Sequence, residues 1–187
     1  IQPKITQINV LYSEDNHGMA YALTLGDGSF ILIDGGNNWE PQHIHLWDVL
    51  NEINERPDGK IIIRAWMVTH AHADHTRTLT EFAKTYGAQC ELDYLVYNCI
   101  AGLSDSFPAD LREYMQYFGG NPQVISAHAG QRIALQDSVV EIISTHEDFY
   151  PTEITDYNDT SMIFRVHLGG QTAMFVGDAQ VLAGNTA

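Results

Sequence analysis

The segment KIIIRAWMVT, residues 60–69, limits the fold of this chain more than any other feature. It is a nearly continuous run of apolar and β-branched residues, which predicts a strand that is buried on both faces of its sheet. The polar sequence HAHADH, residues 70–75, follows it immediately. Three histidines and an aspartate therefore stand at the carboxyl end of a buried strand, where ligands bind in α/β proteins.

The pattern of the whole chain places this strand in an α/β domain. Apolar runs bounded by turn residues predict strands, and apolar residues three and four apart predict helices. The predicted strands lie at 4–12, 21–26, 30–34, 60–69, 92–98, 123–126, 131–135, 138–144, 161–168 and 171–178. The predicted helices lie at 41–55 and 75–87 and, after a loop, within 105–120. This order predicts one domain over residues 1–187, with mixed sheets and outer helices.

The composition limits the partners of the chain. It carries 24 acidic and 9 basic residues, a formal net charge of −15. Such a surface repels phosphate backbones and does not favour nucleic-acid binding, although a bound cation can reverse the field locally. No apolar run approaches the roughly 20 residues of a membrane span, and no signal peptide is visible. The sequence thus predicts no membrane segment and leaves localisation open between cytoplasmic and secreted.

The spacing within HAHADH suits metal binding. In an extended segment His70 and His72 point to the same side, so both imidazoles can meet one metal ion. Asp74 and His75 follow where the chain turns into a helix, and they can face a second ion nearby. Imidazole and carboxylate together suit zinc, iron or manganese, and two ions that share a bridging hydroxide supply a nucleophile at neutral pH. The alternative is a chance cluster of surface histidines in a chain that has 9 of them.

Three segments carry a resemblance to a known family. THAHADH (69–75) matches the HxHxDH signature of the metallo-β-lactamase superfamily, and FILIDGG (30–36) and MFVGDA (174–179) resemble its two strand ends that carry an aspartate. The resemblance implies an α/β fold of the αββα sandwich type, with two mixed sheets between outer helices. It also implies a hydrolase that directs a metal-bound hydroxide at a phosphodiester or at an ester or lactone.

The resemblance also assigns roles to the matching residues. The ligands that it implies for two metal ions are, in chain order, His70, His72, Asp74, His75 and Asp178. The first two would bind one ion, the next two would bind the other, and the last would bridge them. Asp34 would orient a ligand histidine without binding metal itself. Asp74 would in addition be the catalytic residue beside the metal-bound water. Zinc is the expected metal, with manganese and iron as alternatives.

One ligand of the first ion departs from the pattern of the family. The family usually supplies a further histidine between the signature and the bridging aspartate. That segment here reads YNDTSMIFRV (157–166), with Asn158 or Asp159 at the expected position. His146 is the nearest histidine and the candidate for the missing ligand. The NDTS sequence resembles the branch that includes the metallo-β-lactamase-like domain of DNA-uptake competence proteins, which favours phosphodiesters as substrates.

The second departure concerns the end of the chain. The family usually continues beyond the bridging aspartate to a last histidine for the second ion, whereas no histidine follows Asp178 here. We therefore expect a chain that lacks the usual C-terminal part, so that the second half of the fold is incomplete. Unpaired strand edges and exposed apolar surface would favour a homo-oligomer. The functional alternatives are a hydrolase of a small-molecule or phosphodiester substrate and a degenerate metal-binding domain that acts in protein association without catalysis.

Overall fold

The first of two sheets contains the buried strand. The computed structural model describes residues 1–11, 18–37, 41–100, 111–149, 153–154 and 156–187. The strands of the first sheet, which follow chain order across it, are β1 (Lys4–Gln7), β2 (Ala20–Thr24), β3 (Phe30–Asp34), β4 (Ile61–Val68), β5 (Cys90–Tyr97) and β6 (Gln123–Ser126). The first three are antiparallel, and β3 to β6 run parallel. The carboxyl ends of β3 to β6 therefore share one edge.

The second sheet is antiparallel throughout. Its strands are β7 (Arg132–Leu135), β8 (Ser138–Ser144), β9 (Ile163–Leu168) and β10 (Gln171–Phe175), in the spatial order β10-β9-β8-β7. The inner faces of the two sheets meet in a core that includes Ile31, Met67, Val140 and Phe164. Alternate residues of these strands are apolar, so each strand contributes a buried face to this core.

Helices pack on the outer side of each sheet. Helices α1 (Gln42–Ile53) and α2 (Ala73–Tyr86) cover the first sheet through a core that includes Leu46, Trp66 and Phe82. Helix α3 (Val181–Thr186) packs beside one end of the second sheet, where Ala183 contacts Phe149 and Ile163. The predicted αββα sandwich is thereby confirmed. Within the described ranges, no helix combines the length and apolar character needed to cross a membrane.

Most predicted elements shift by one or two residues at their ends, and three differ more. Strand β1 ends at Gln7 and is shorter than predicted, although the Ile8 N–H still donates to the Ala20 carbonyl; residue 12, the end of the predicted strand, lies outside the described residues. Of the helix predicted at 105–120, residues 105–110 lie outside the described residues, and Leu111–Tyr117 forms a 3₁₀ helix. Strand β10 ends at Phe175 because Gly177 has a φ of 54°, in the left-handed region, which turns the chain before Asp178.

One backbone hydrogen bond joins the two sheets at the edge where β3 and β4 end. The N–H of Met162, just before β9, donates to the carbonyl of Thr69, just after β4, at 2.8 Å. The segment that leads into β9 is thereby held against the histidine sequence. Side chains from both sheets can consequently meet at this edge.

Candidate metal centre

The three histidines of HAHADH lie between the end of β4 and the first turn of α2. His72 is the last extended residue before the helix, with φ −68° and ψ 148°. The Nε2 atom of His70 lies 3.0 Å from the Nδ1 atom of His72, as expected for two histidines on one side of an extended segment. His75 enters from the first turn of α2, and its ring centroid is 4.1 Å from that of His70. His70 and His75 are buried, and His72 is half-buried.

The buried carboxylate of Asp34 fixes the position of Thr69 and His75. Its Oδ1 atom accepts the Thr69 N–H at 2.8 Å, and its Oδ2 atom accepts the Thr69 hydroxyl at 2.7 Å. The same Oδ2 lies 2.7 Å from His75 Nδ1. Asp34 has a φ of 51°, a left-handed conformation that aspartate tolerates better than most residues. The turn after β3 thus aims one carboxylate at both Thr69 and His75.

These contacts determine which ring nitrogens carry hydrogen. A carboxylate can only accept, so His75 Nδ1 donates to Asp34, and in the neutral ring Nε2 then bears a lone pair. The Thr69 hydroxyl gives its hydrogen to Asp34 and can therefore only accept from His70 Nδ1, 3.1 Å away. The Nε2 atom of His70 bears a lone pair for the same reason. Both histidines direct Nε2 into the centre, where that of His70 contacts His72 Nδ1 and that of His75 has no hydrogen-bond partner among the described residues.

Asp178 reaches the centre from the second sheet. Its Oδ2 atom lies 3.4 Å from His75 Nε2, and its N–H donates to Ser161 Oγ at 3.2 Å. Gly177 is required beside it, because a Cβ at this position would lie 2.9 Å from both Ser161 Oγ and Thr69 Cβ. The carboxylate itself is 41% exposed, so the site opens to solvent on this side.

The charges of the centre shift one another's pKa values. Burial lowers the pKa of His75, but Asp34 and Asp178 outweigh burial and raise that pKa to about 10. Burial and the neighbouring charge of His75 lower the pKa of His70. The contact with His75 lowers the pKa of Asp178, against a smaller effect of burial. The centre therefore attracts one positive charge at the Nε2 atom of His75, as a proton or as a metal cation.

An orphaned atom tests whether the centre fits a metal. Within the described residues, His75 Nε2 is buried and has no hydrogen-bond partner, since its 3.4 Å approach to Asp178 does not form one. Ligand atoms of His70, His75 and Asp178 lie within 4.8 Å of one another. Two imidazoles and a carboxylate are ligands that zinc, manganese and iron accept. The residues present fit such a metal ion.

The other sequence candidates lie around this group of three. His72 contacts His70 directly, and Asp34 contacts His75. Asp74 is half-buried in the first turn of α2 and is not one of the three. His146 is not one of them either, and its Nε2 atom lies 3.0 Å from Asn98 Oδ1. The ligand roles of Asp74 and His146 stay predictions.

Sequence analysis missed two residues that position the centre. Thr69 links Asp34 to His70, and Ser161 holds the backbone of Asp178. Thr69 stands inside the quoted signature, so its place directly before the first histidine was an available signal. The contact of Ser161 joins residues 17 positions apart and has no signal in local periodicity.

Comparison with known proteins identifies the fold of the chain. Residues 14–89 match the family model of the metallo-beta-lactamase superfamily. Similar solved structures include the metallo-beta-lactamase fold protein YhfI from Bacillus subtilis, with 16% identity, a TM-score of 0.57, and coverage of 95% of this chain and 63% of that one. The chain has the metallo-β-lactamase fold, and its predicted resemblance to the superfamily is confirmed.

Two further similar structures belong to proteins that are named for different activities. The Cronobacter sakazakii metallo-beta-lactamase with a HARLDQ motif has 19% identity and a TM-score of 0.55, covering 98% of this chain and 63% of that one. The short form of human tRNase Z has 16% identity and a TM-score of 0.53, covering 91% and 67%. A comparison with curated protein sequences finds no match. The chain spans about 63% of the length of YhfI and of the Cronobacter protein.

Proposed function

We propose that this chain contains the metal centre of a metal-dependent hydrolase. The observation that carries the proposal is the buried Nε2 atom of His75, which has no hydrogen-bond partner among the described residues and faces His70 and Asp178. Leaving such an atom unpaired costs free energy, and buried polar atoms are therefore nearly always paired. A metal cation at this nitrogen would take the place of the proton that Asp34 and Asp178 otherwise favour there, and it would pair both with His75 and with the carboxylate of Asp178.

His70 and His72 would hold one ion, Asp74 and His75 would hold a second, and Asp178 would be shared between the two. When bound, a divalent metal acts as a Lewis acid and makes hydroxide available near neutral pH. Zinc is the metal that we propose first, because imidazoles dominate the donor set. Manganese and iron are the alternatives.

The residues of the chain have separate tasks in this proposal. Asp34 holds the tautomer of His75, and Thr69 holds that of His70, so both rings present Nε2 lone pairs without rearrangement. Asp74, half-buried at the start of α2, would accept the proton of the attacking water. The exposed side of Asp178 marks where a substrate would enter.

We propose a phosphodiester or an ester or lactone as the substrate class. The resemblance of the NDTS segment to the competence-protein branch supports the phosphodiester. The net charge of −15 disfavours a long nucleic acid and favours a small substrate. The names of the structural neighbours, a β-lactamase and a tRNase, include two substrate classes and do not choose between them.

The test combines metal content with turnover. Mass spectrometry of the purified protein would measure bound metal, and bis(p-nitrophenyl) phosphate and a lactone would be the substrates. We expect bound metal and hydrolysis, both lost in His72→Ala and both retained in His167→Ala, which changes a histidine of β9 outside the centre. Metal without turnover on either substrate would support the non-catalytic alternative. Protein that takes up no metal from zinc- or manganese-containing buffer would sink the proposal.

A further inference from the structure

The 3₁₀ helix Tyr157–Thr160 lies between the two sides of the metal centre. At its start, the ring of Tyr157 meets the ring of His72 edge-on, with centroids 5.4 Å apart. Just after its end, Ser161 Oγ accepts the N–H of Asp178. The residues between these two contacts therefore lie along the centre, from the His72 side to the Asp178 side.

The conformation of this short helix is held by contacts of its own. Asp156 caps its start, since its Oδ1 atom accepts the Asn158 N–H at 2.9 Å. The Asn158 carbonyl accepts the Ser161 N–H at 3.1 Å. The carboxylate of Asp159 accepts the Ala183 N–H of α3 at 3.2 Å, so it is directed to the outer helix. The position of Asn158 is thus determined by its neighbours.

The side-chain oxygen of Asn158 is buried and lacks a hydrogen-bond partner within the described part of the chain. A buried amide oxygen without a partner costs free energy comparable to a lost hydrogen bond. The backbone of the helix is held by its neighbours, so the helix cannot easily turn this oxygen towards another protein partner, and an ion or a water molecule is the partner expected for it. The centre beside this helix contains the imidazoles of His70 and His72, whose Nε2 and Nδ1 atoms are 3.0 Å apart, and Asp178 approaches it from the second sheet.

We propose that Asn158 Oδ1 is the third protein ligand of the metal ion that His70 and His72 bind. The inference rests on the metal binding of the proposed function and does not require hydrolysis. Asn158 and Asp159 are the two candidates for the position where the family usually has a histidine ligand. The inference favours Asn158, because Asp159 accepts a hydrogen bond from α3 whereas the side-chain oxygen of Asn158 has no partner among the described residues. One oxygen and two nitrogens make a harder donor set than three imidazoles, so manganese competes better with zinc here.

The experiment compares metal affinities of four proteins. Zinc and manganese chlorides alone would be titrated in competition with a chromophoric chelator, for the wild type, Asn158→Ala, Asn158→His and the matched control Asp159→Asn. We expect Asn158→Ala to weaken binding at one site by at least about tenfold, the lower bound that even indirect partners of a metal show. Asn158→His should raise the preference for zinc over manganese by about tenfold. Asp159→Asn should keep the wild-type affinities.

Thermal unfolding of the metal-free proteins separates a ligand role from a structural one. Removing an orphaned oxygen should leave the Tm of metal-free Asn158→Ala unchanged or higher, whereas a purely structural residue would lower it. Wild-type affinities in Asn158→Ala, or a loss confined to Asp159→Asn, would overturn the inference alone. A wild type that binds neither metal would overturn both the inference and the proposed function.

Discussion

Two groups of charged side chains lie at opposite ends of β3 and β4, and they are completed in different ways. At the amino end, Arg64 lies between two carboxylates, with Nη2 at 2.9 Å from Asp27 and Nη1 at 3.0 Å from Asp93. Arg64 is an extra residue of β4 relative to β3, since Phe30 pairs with Ile63 and Ile31 pairs with Ala65. Every charge in this group meets an opposite charge of the protein.

The carboxyl end of the same strands has carboxylates but no arginine or lysine among its contacts in the described residues. Asp34 and Asp178 both approach His75, and one nitrogen of that histidine stays buried and unpaired. The amino-end group is self-sufficient, so its role is structural. The carboxyl-end group is complete only when a positive charge joins it, which is the physical basis for assigning function to this end.

The largest expected difference between the two ends is the free energy of unfolding that is lost when the central charged residue of each group is removed. Asp34→Ala leaves the Thr69 N–H and His75 Nδ1 buried without an acceptor, and we expect a loss of about 3–5 kcal/mol in the free energy of unfolding. Arg64→Ala breaks ion pairs that water reaches, and it should cost about 1–2 kcal/mol. Urea unfolding measures both. An equal or greater cost for Arg64→Ala would contradict the comparison.

Only the carboxyl end should respond to metal. Free zinc at about 100 times its Kd should stabilise the wild type by about 2.7 kcal/mol, because the ion binds the folded state alone. Asp178→Asn, which removes a half-exposed carboxylate, should abolish most of this gain, and Arg64→Lys should retain it. Thermal unfolding with and without zinc tests the prediction. A metal-dependent gain of the same size in Asp178→Asn would place the ion elsewhere.

A milder change at Asp34 isolates the tautomer of His75. In Asp34→Asn the amide would donate to His75 Nδ1, which would move the ring hydrogen to Nε2 and block that nitrogen as a ligand. We expect zinc affinity to fall by about 10- to 100-fold while the protein stays folded. Isothermal titration calorimetry measures the affinity, and circular dichroism provides the check on folding. Unchanged affinity would show that His75 Nε2 is not a ligand.

The smallest expected effect is the acid response of the amino end. Burial raises the pKa of Asp27, but hydrogen bonds from Ser29 and Arg64 outweigh it and lower that pKa to about 2. A carboxyl whose pKa is depressed by folding stabilises above its unfolded value of about 3.8, and this stabilisation is lost as pH falls towards 2. After discounting for exposure we expect about 1 kcal/mol. Asp27→Asn should flatten the pH dependence of Tm between pH 4 and 2, in acid titrations followed by circular dichroism.

The sequence predicts the bounds of the strand that leads to the metal centre, but not the contacts between residues that are far apart in the chain. Strand β3 has the predicted bounds, because a turn precedes it and Asp34-Gly-Gly follows it. The approach of His70, His75 and Asp178 was predicted only through the family resemblance, because Asp178 lies on another sheet. Local periodicity describes which face of an element is buried, and contacts such as Asp34 with His75, 41 positions apart, leave no trace in it.

The contacts of His146 and Arg64 illustrate the same limit. His146 is the histidine nearest in sequence to the expected ligand position, and the contact of its Nε2 atom with Asn98, 48 positions away, has no signal in the sequence. The bulge at Arg64 arises from the pairing of β3 with β4, which no single strand reveals. Residue types and strand order follow from one sequence, but the register between strands decides which side chains meet.

The central claim is that a divalent cation binds at His75 Nε2, and anomalous X-ray diffraction tests it most directly. Crystals grown with zinc would be measured above and below the zinc absorption edge. The account predicts an anomalous peak bonded to His75 Nε2 and Asp178, and its loss in Asp178→Asn. A map with no peak beside His75, or with a peak only at surface carboxylates, would contradict it.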